Sequence, residues 1–356
     1  MDAKQTLEQF RNKLEPLLDE YFDQVVPQAK NISPVAHSAV TYLKEYTLRK
    51  AKRLRAALMY YTYLMLRGKN SEEALRVSAF IEIIQSYLLI HDDVMDQDAL
   101  RRGGATIHTI YADVHRQQYG MQDPVHFGES MAINLGDIAC HLACDILTDS
   151  DFDAPLKVKA LSKLHKQIVT VGYGQMLDVV GSVRKSVSEE DVFLVHEFKT
   201  ATYTYETPIS VGAILAGATD DDVKVLTDYA IPAGIAFQIQ DDILGMFGDE
   251  EKLGKANTSD LREGKHTLLI IKALENGTPK QVKTITQALG NHNITQKDAD
   301  KVRQIIRDTG SLEYSQEQTR KFVAQAKAAL ETRLEWQGEG REFLDGVADY
   351  MINREY

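Results

Sequence analysis

The chain has 356 residues, 44% of them hydrophobic, with a formal net charge of −11. That acidity argues against nucleic acid or an anionic membrane surface as the main partner. Eight prolines are about half the usual share or less, which favours long helices. The length allows two domains, but the apolar fraction can build one sizeable core, and no repeat of solenoid period interrupts it.

The first residues, MDAKQTLEQF, lack an apolar signal core, and no uncharged apolar stretch is long enough to span a bilayer. The expectation is a soluble, cytoplasmic chain and not an integral membrane protein, although an apolar substrate can still come from a membrane. A basic run, RKAKRLRA, holds Lys50, Lys52, Arg53 and Arg55. In SEEALRVSAFIEIIQSYLLIHDD, Ser71 reads as an N-cap with Glu72 and Glu73 in the first turn. Leu75, Ala79, Ile83, Tyr87 and Ile90 then recur at helical spacing, with Ile84 beside them. Cys140 and Cys144 lack His partners for zinc and read as reduced, packed thiols. Breakers fall at Gly68, Gly103-Gly104, residues 149 to 155, Asn276 to Pro279, and Gly310. Pro232 implies a kink or a helix start. The reading is all-α, one domain over residues 1 to 356, a helical bundle of about a dozen helices around a central cavity.

Two acidic clusters close apolar helical runs. The first is HDDVMDQDALRRGG, with Asp92, Asp93, Asp96 and Asp98; the second is FQIQDDILGMFGDEEKLGK, with Asp241 and Asp242. Asp92 and Asp96, four apart, share one helix face, while Asp93 turns about 100° aside. Carboxylates gathered this way repel unless cations intervene, and oxygen-only donors select hard ions, magnesium above all. Arg101 and Arg102 follow the first cluster, Lys255 and Lys265 follow the second, and Lys199 and Thr200 lie between. Acids to hold magnesium and bases to hold phosphate oxygens describe a diphosphate site.

In this order the motifs resemble those of the trans-isoprenyl diphosphate synthases (polyprenyl synthetases). KRLR at 52–55, EIIQSYLLIHDDVMD with its following arginines, GESMAINLGD, GQMLD, KTATY, FQIQDDILG and GKANTSDLREGKHT carry the likeness from about residue 49 to 267. The resemblance implies condensation of isopentenyl diphosphate with an allylic diphosphate, with magnesium (or manganese) as the cofactor and a homodimer as the assembly. It implies magnesium at Asp92, Asp96 and Asp241, with Asp93 and Asp242 orienting metal-bound water. Arg101, Lys199 and Lys255 would neutralise the departing diphosphate, with Thr200, Gln238 and Lys265 close by. Lys52, Arg55, Gln85 and Arg102 would hold isopentenyl diphosphate, whereas Arg53 reads as a solvated charge. His91 reads as a packing or hydrogen-bonding residue and not a ligand, and Gly172-Tyr173-Gly174 as a close helix approach.

Two departures stand out. Gly245 replaces the last aspartate of the second motif, leaving Asp249 or Asp260 on the following loop as substitutes, with Asp249 reading as solvated. The usual glycine pair before Lys52 is Lys50-Ala51. For product length, Leu88 and Ile84 fall within about 80° of Asp92 on an ideal helix and are expected to line the cavity. Tyr87 falls about 140° away, yet the resemblance makes it the floor. With Leu88 beside it and no insertion in DDVMD, the implied product is geranylgeranyl diphosphate, with farnesyl diphosphate second. The alternatives are a terpene cyclase of the same fold, which would leave KRLR idle, and a non-catalytic prenyl-diphosphate-binding subunit.

Overall fold

Helix α4 (Ser71–Met95) is apolar on nearly every face and runs through the interior, with Val77, Phe80, Ile81 and Ile83 fully buried. Burying each such side chain contributes about 1.5–3 kcal/mol, and Phe80→Ala would cost about 3–5 kcal/mol. The N-cap is Asn70, whose side chain accepts from the Glu73 amide at 3.2 Å. Ser71, expected in that role, is the first helical residue. Among the polar groups buried inside this helix, Glu82 accepts from Arg53 and from the Ala56 amide.

The structure, a computed structural model, describes residues 2–184, 186–248 and 257–353. Ahead of α4 come α1 (Ala3–Ile32), α2 (Pro34–Leu48) and α3 (Leu54–Met65). A two-stranded hairpin follows α4, β1 (Leu100–Arg101) and β2 (Gly104–Ala105), turning on Arg102 and Gly103, both at positive φ. Then come α5 (Ile107–Gln118), α6 (Pro124–Thr148), α7 (Ala154–Val183) and α8 (Glu189–Val195). A π-helical segment (His196–Glu206), α9 (Thr207–Leu215) and α10 (Asp220–Phe247) complete the central part. The remaining helices among the described residues are α11 (Ser259–Glu263), α12 (Leu268–Asn276), α13 (Pro279–Ala288), α14 (Gln296–Asp308), α15 (Ser311–Leu330) and α16 (Glu339–Asn353). Among the described residues the count exceeds a dozen, because spacing rules miss segments as short as α8 and α11.

The predicted breakers all separate elements, but Pro232 does not. Helix α10 runs through it. Tyr229, Ala230, Ala233 and Ala236 around it are fully buried, and this packing offsets the roughly 3 kcal/mol that an interior proline costs. A capping box of Thr219 and Asp222 starts that helix. α4 packs along α6, and α10 along α15 and the π-helix. By length and composition α4 and α6 could each cross a membrane; α4 owes its apolarity to the core, while α6 leaves Ile133 and Ile138 exposed.

Candidate functional site

A cavity of about 700 Å³ lies between α4, α7, the π-helix and α10, within the size range of ligand sites. α4 delivers Asp92 to its wall, α10 delivers Asp241 and Asp242, and the π-helix delivers Lys199 and Thr200. The two acidic clusters therefore do meet across one space.

Asp92 is met by three donors: Gln175 Nε2 at 3.2 Å, Lys199 Nζ at 3.2 Å and Arg101 at 3.6 Å. Burial raises its carboxyl, but Lys199, Arg101 and Lys265 outweigh burial and hold it below the usual range. Asp96, one turn on, takes Lys265 Nζ at 3.3 Å. Burial, and then the charge of Asp92, raise Asp96. Asp93 departs from expectation. It is fully buried and accepts from the Tyr46 hydroxyl at 2.6 Å and from Arg101 Nε at 2.6 Å. Turned away from Asp92, it anchors Arg101 instead of facing the cavity. Burial pushes its carboxyl up to about 6, against the pull of Arg101 and Tyr46.

On α10, Gln238 accepts from Thr200 at 2.7 Å and donates to Asp242 at 2.7 Å. The second Asp242 oxygen lies 3.1 Å from His196 Nε2. Gly245 explains the departure in the second motif. A Cβ built there would lie 2.7 Å from Asp260 Oδ2, so the Asp260 carboxylate fills the space a side chain at 245 would need. Asp260 also lines the cavity. Lys265 binds Glu263 at 2.5 Å as well as Asp96. Lys255 and Asp249 lie outside the described residues.

Lys199 sits on the π-helix, an irregularity common at functional sites. Its ammonium is held by Asp178 at 2.6 Å and Asp92 at 3.2 Å. Burial opposes its charge, but these carboxylates raise its pKa. Gly174 allows this geometry: a Cβ there would lie 2.3 Å from the Lys199 amide nitrogen. The close helix approach read from Gly172-Tyr173-Gly174 is thus real at Gly174.

Toward α3, the cavity presents Arg55, Gln85 and Arg102. Arg55 donates to Thr204 Oγ1 at 2.7 Å and lies over the Tyr203 ring at 5.0 Å. Gln85 is buried and its Oε1 has no partner. Arg102 takes a left-handed conformation, φ 53°, in the hairpin turn, which its neighbour Arg49 fastens by donating to the Arg101 carbonyl at 3.2 Å. Lys52 is not brought to this group. It is exposed, with its ammonium 5.4 Å over the Tyr350 ring. Arg53, expected in solvent, is 2% exposed; in left-handed conformation at the start of α3, it donates to the Thr47 and Arg49 carbonyls and pairs with Glu82. The irregular loop replacing the glycine pair sends successive charges in different directions.

The apolar end is walled by Tyr87 and Leu88. Ile84, expected beside them, is fully buried in the core. A helical wheel drawn from Asp92 ignores side-chain length, and the tyrosine reaches where the isoleucine does not. His91 Nε2 lies 3.0 Å from the Ile133 carbonyl, the hydrogen-bonding role expected. Gln175, Asp178, Tyr46, His196 and Glu263 were missed; only Gln175 and Asp178 carried a signal, sharing a helix face within GQMLD.

Does this donor set fit a divalent cation? The acids around the cavity offer hard oxygens only. Among the described residues no three acidic, His or Cys groups gather closely enough to cage an ion alone. That arrangement suits magnesium, which keeps several waters and takes one or two carboxylates plus substrate phosphates. The residues fit.

The Polyprenyl synthetase family model matches residues 37–308, more than half the chain. Geranylgeranyl diphosphate synthase of Saccharolobus solfataricus is 36% identical over 76% of this chain and 76% of its own. Geranylfarnesyl diphosphate synthase of Natronomonas pharaonis is 32% identical over 80% of this chain and 76% of its own. Among solved structures, geranylgeranyl pyrophosphate synthase from Corynebacterium glutamicum, complexed with isoprenyl diphosphate and magnesium, superposes with a TM-score of 0.91. It is 31% identical, covering 99% of this chain and 100% of that one. A predominantly helical enzyme with two acid clusters and several cations lining one cavity is thereby defined as a prenyltransferase. The chain belongs to the polyprenyl synthetase family.

Proposed function

We propose that this enzyme is a short-chain trans-prenyltransferase that joins isopentenyl diphosphate to an allylic diphosphate and makes geranylgeranyl diphosphate, with farnesyl diphosphate second. One observation carries the reading: a single cavity is lined by acids and lysines, by the group of Arg55, Gln85 and Arg102, and by apolar side chains. A terpene cyclase would have no use for the Arg55, Gln85 and Arg102 group.

Asp92, Asp96 and Asp241 would hold magnesium, with Asp242 and Asp260 beside them; manganese is the substitute ion. When bound, magnesium supplies Lewis acidity at the leaving diphosphate. The allylic carbon–oxygen bond breaks and its electron pair leaves with the diphosphate. Arg101, Lys199 and Lys265 stabilise that charge as it forms, with Thr200 and Gln238 oriented beside them and Lys255 following in sequence. The residues at the arginine end, Arg55, Arg102 and Gln85, hold isopentenyl diphosphate, with Lys52 at the margin. The double bond of that substrate attacks the allylic cation, and a proton passes to the released diphosphate. Water is kept out by Tyr87, Leu88, Phe237 and Leu244.

The proposal extends to a homodimer in the cytoplasm, with residues 1 to 356 as one domain. Exposed Ile133 and Ile138 on α6, and Val169, Tyr173 and Val180 on α7, support a paired surface. Free Cys140 and Cys144 support a reducing compartment. The test is diphosphate release with both substrates present. It should require the divalent ion and fall by at least about a hundredfold in Asp92→Ala or Asp241→Ala, with unchanged helical circular dichroism. Full release in excess chelator, or with the allylic substrate alone, would overturn the reading.

A further inference from the structure

Resting on the prenyl-transfer reading, we infer that His91 is a positioning residue for product length: it braces Tyr87 from the α6 side, and Gly136 is the seat that makes room for it.

The two rings are one helical turn apart on α4 and meet edge to face, with centroids 5.0 Å apart and planes at 76°, a favoured aromatic geometry. Both line the cavity. The imidazole is fixed from the far side: its Nε2 donates to the Ile133 carbonyl at 3.0 Å and lies 3.7 Å from Asp137 Oδ1. A Cβ built on Gly136 would stand 2.4 Å from Nε2 and 2.6 Å from Cδ2. No other residue at position 136 leaves this imidazole where it is. The ring is thus clamped between the backbone of α6 and the ring of Tyr87, and the tyrosine cannot lean toward α6 while His91 is seated. Leu88 lines the cavity from the next position, so the depth of the apolar end depends on Tyr87 and Leu88, and the place of Tyr87 depends on His91 and Gly136 behind it.

Two substitutions should act in opposite directions. His91→Ala empties the space behind Tyr87, which can then swing back, and the product maximum should move up by one isoprene unit. Gly136→Ala expels the imidazole from its seat toward the cavity that it already lines, and the maximum should move down. In the double variant the clash partner is gone, so the shortening caused by Gly136→Ala should disappear. His91→Phe keeps a ring behind Tyr87 and should hold the wild-type maximum despite losing the bond to Ile133. Products from labelled isopentenyl diphosphate would be dephosphorylated and separated by chromatography, with Tyr87→Ala as reference. If Tyr87→Ala lengthens the products while His91→Ala changes only the rate, the bracing role is wrong and the prenyl-transfer reading stands. If wild type forms no prenyl diphosphate, the underlying reading itself fails. Persistence of the shortening in the double variant would also overturn the role of Gly136 as a seat.

Discussion

Moving one carboxylate between two positions probes the second acidic cluster. A Cβ at Gly245 would stand 2.7 Å from Asp260 Oδ2, inside the 3.0 Å that Cβ contacts keep. Gly245→Asp should therefore displace the resident carboxylate and cost about 1–3 kcal/mol through overpacking, a Tm drop of about 2–4 °C per kcal/mol. Asp260→Ala, by contrast, removes the carboxylate without crowding, and its signature should be a magnesium activation midpoint raised by about 10–100-fold. Combining the two transfers the carboxylate from residue 260 to residue 245 and relieves the clash. The double variant should recover part of both losses. Diphosphate release titrated with magnesium, alongside thermal melts, reads both effects. A normal midpoint in Asp260→Ala, or a double variant no better than the sum of its singles, would refute the exchange.

At the arginine end, Arg55→Ala should raise the KM for isopentenyl diphosphate well above that for the primer, since a charge-assisted contact is worth about 1.5–3 kcal/mol; Lys52→Ala, exposed and over Tyr350, should do less. Initial rates with each substrate varied in turn decide this, and equal effects on both KM values would contradict it. Tyr87→Ala should lengthen the products and Leu88→Phe should shorten them, as read by chromatography; an unchanged distribution in both would assign the floor to other residues. Acid stability should depend on Glu73, whose carboxyl is held below the usual range by Arg76, with burial opposing and the Asp151 amide assisting. A lowered carboxyl contributes stability above its unfolded pKa and loses it as pH falls through the folded value. Glu73→Gln should therefore lose about 1–3 kcal/mol at neutral pH and flatten the acid limb of a denaturation series, and an unchanged limb would count against it.

The helices and the meeting of Asp92 with Asp241 were legible because both rest on local periodicity: an apolar stem at three-and-four spacing carries its terminal carboxylates to a predictable face. The burial of Asp93 followed the same geometry, turned about 100° from Asp92, but its partner Tyr46 belongs to α2 and leaves no local trace. Arg53 was misread because its direction depends on a left-handed residue in an irregular loop, which no spacing rule anticipates. Ile84 was placed in the cavity by a wheel that weighs angle and not reach, whereas Tyr87, put there by the resemblance, does line it. The pairing of Gly245 with Asp260, and of Gly136 with His91, exists only between elements distant in sequence. Departures from a motif marked where to look, but only packing supplied the partner.

Wild-type enzyme given labelled isopentenyl diphosphate, magnesium and each allylic primer in turn should yield mainly the twenty-carbon geranylgeranyl chain after dephosphorylation and chromatography. A cyclised hydrocarbon, or a primer recovered without elongation, would contradict the proposed function.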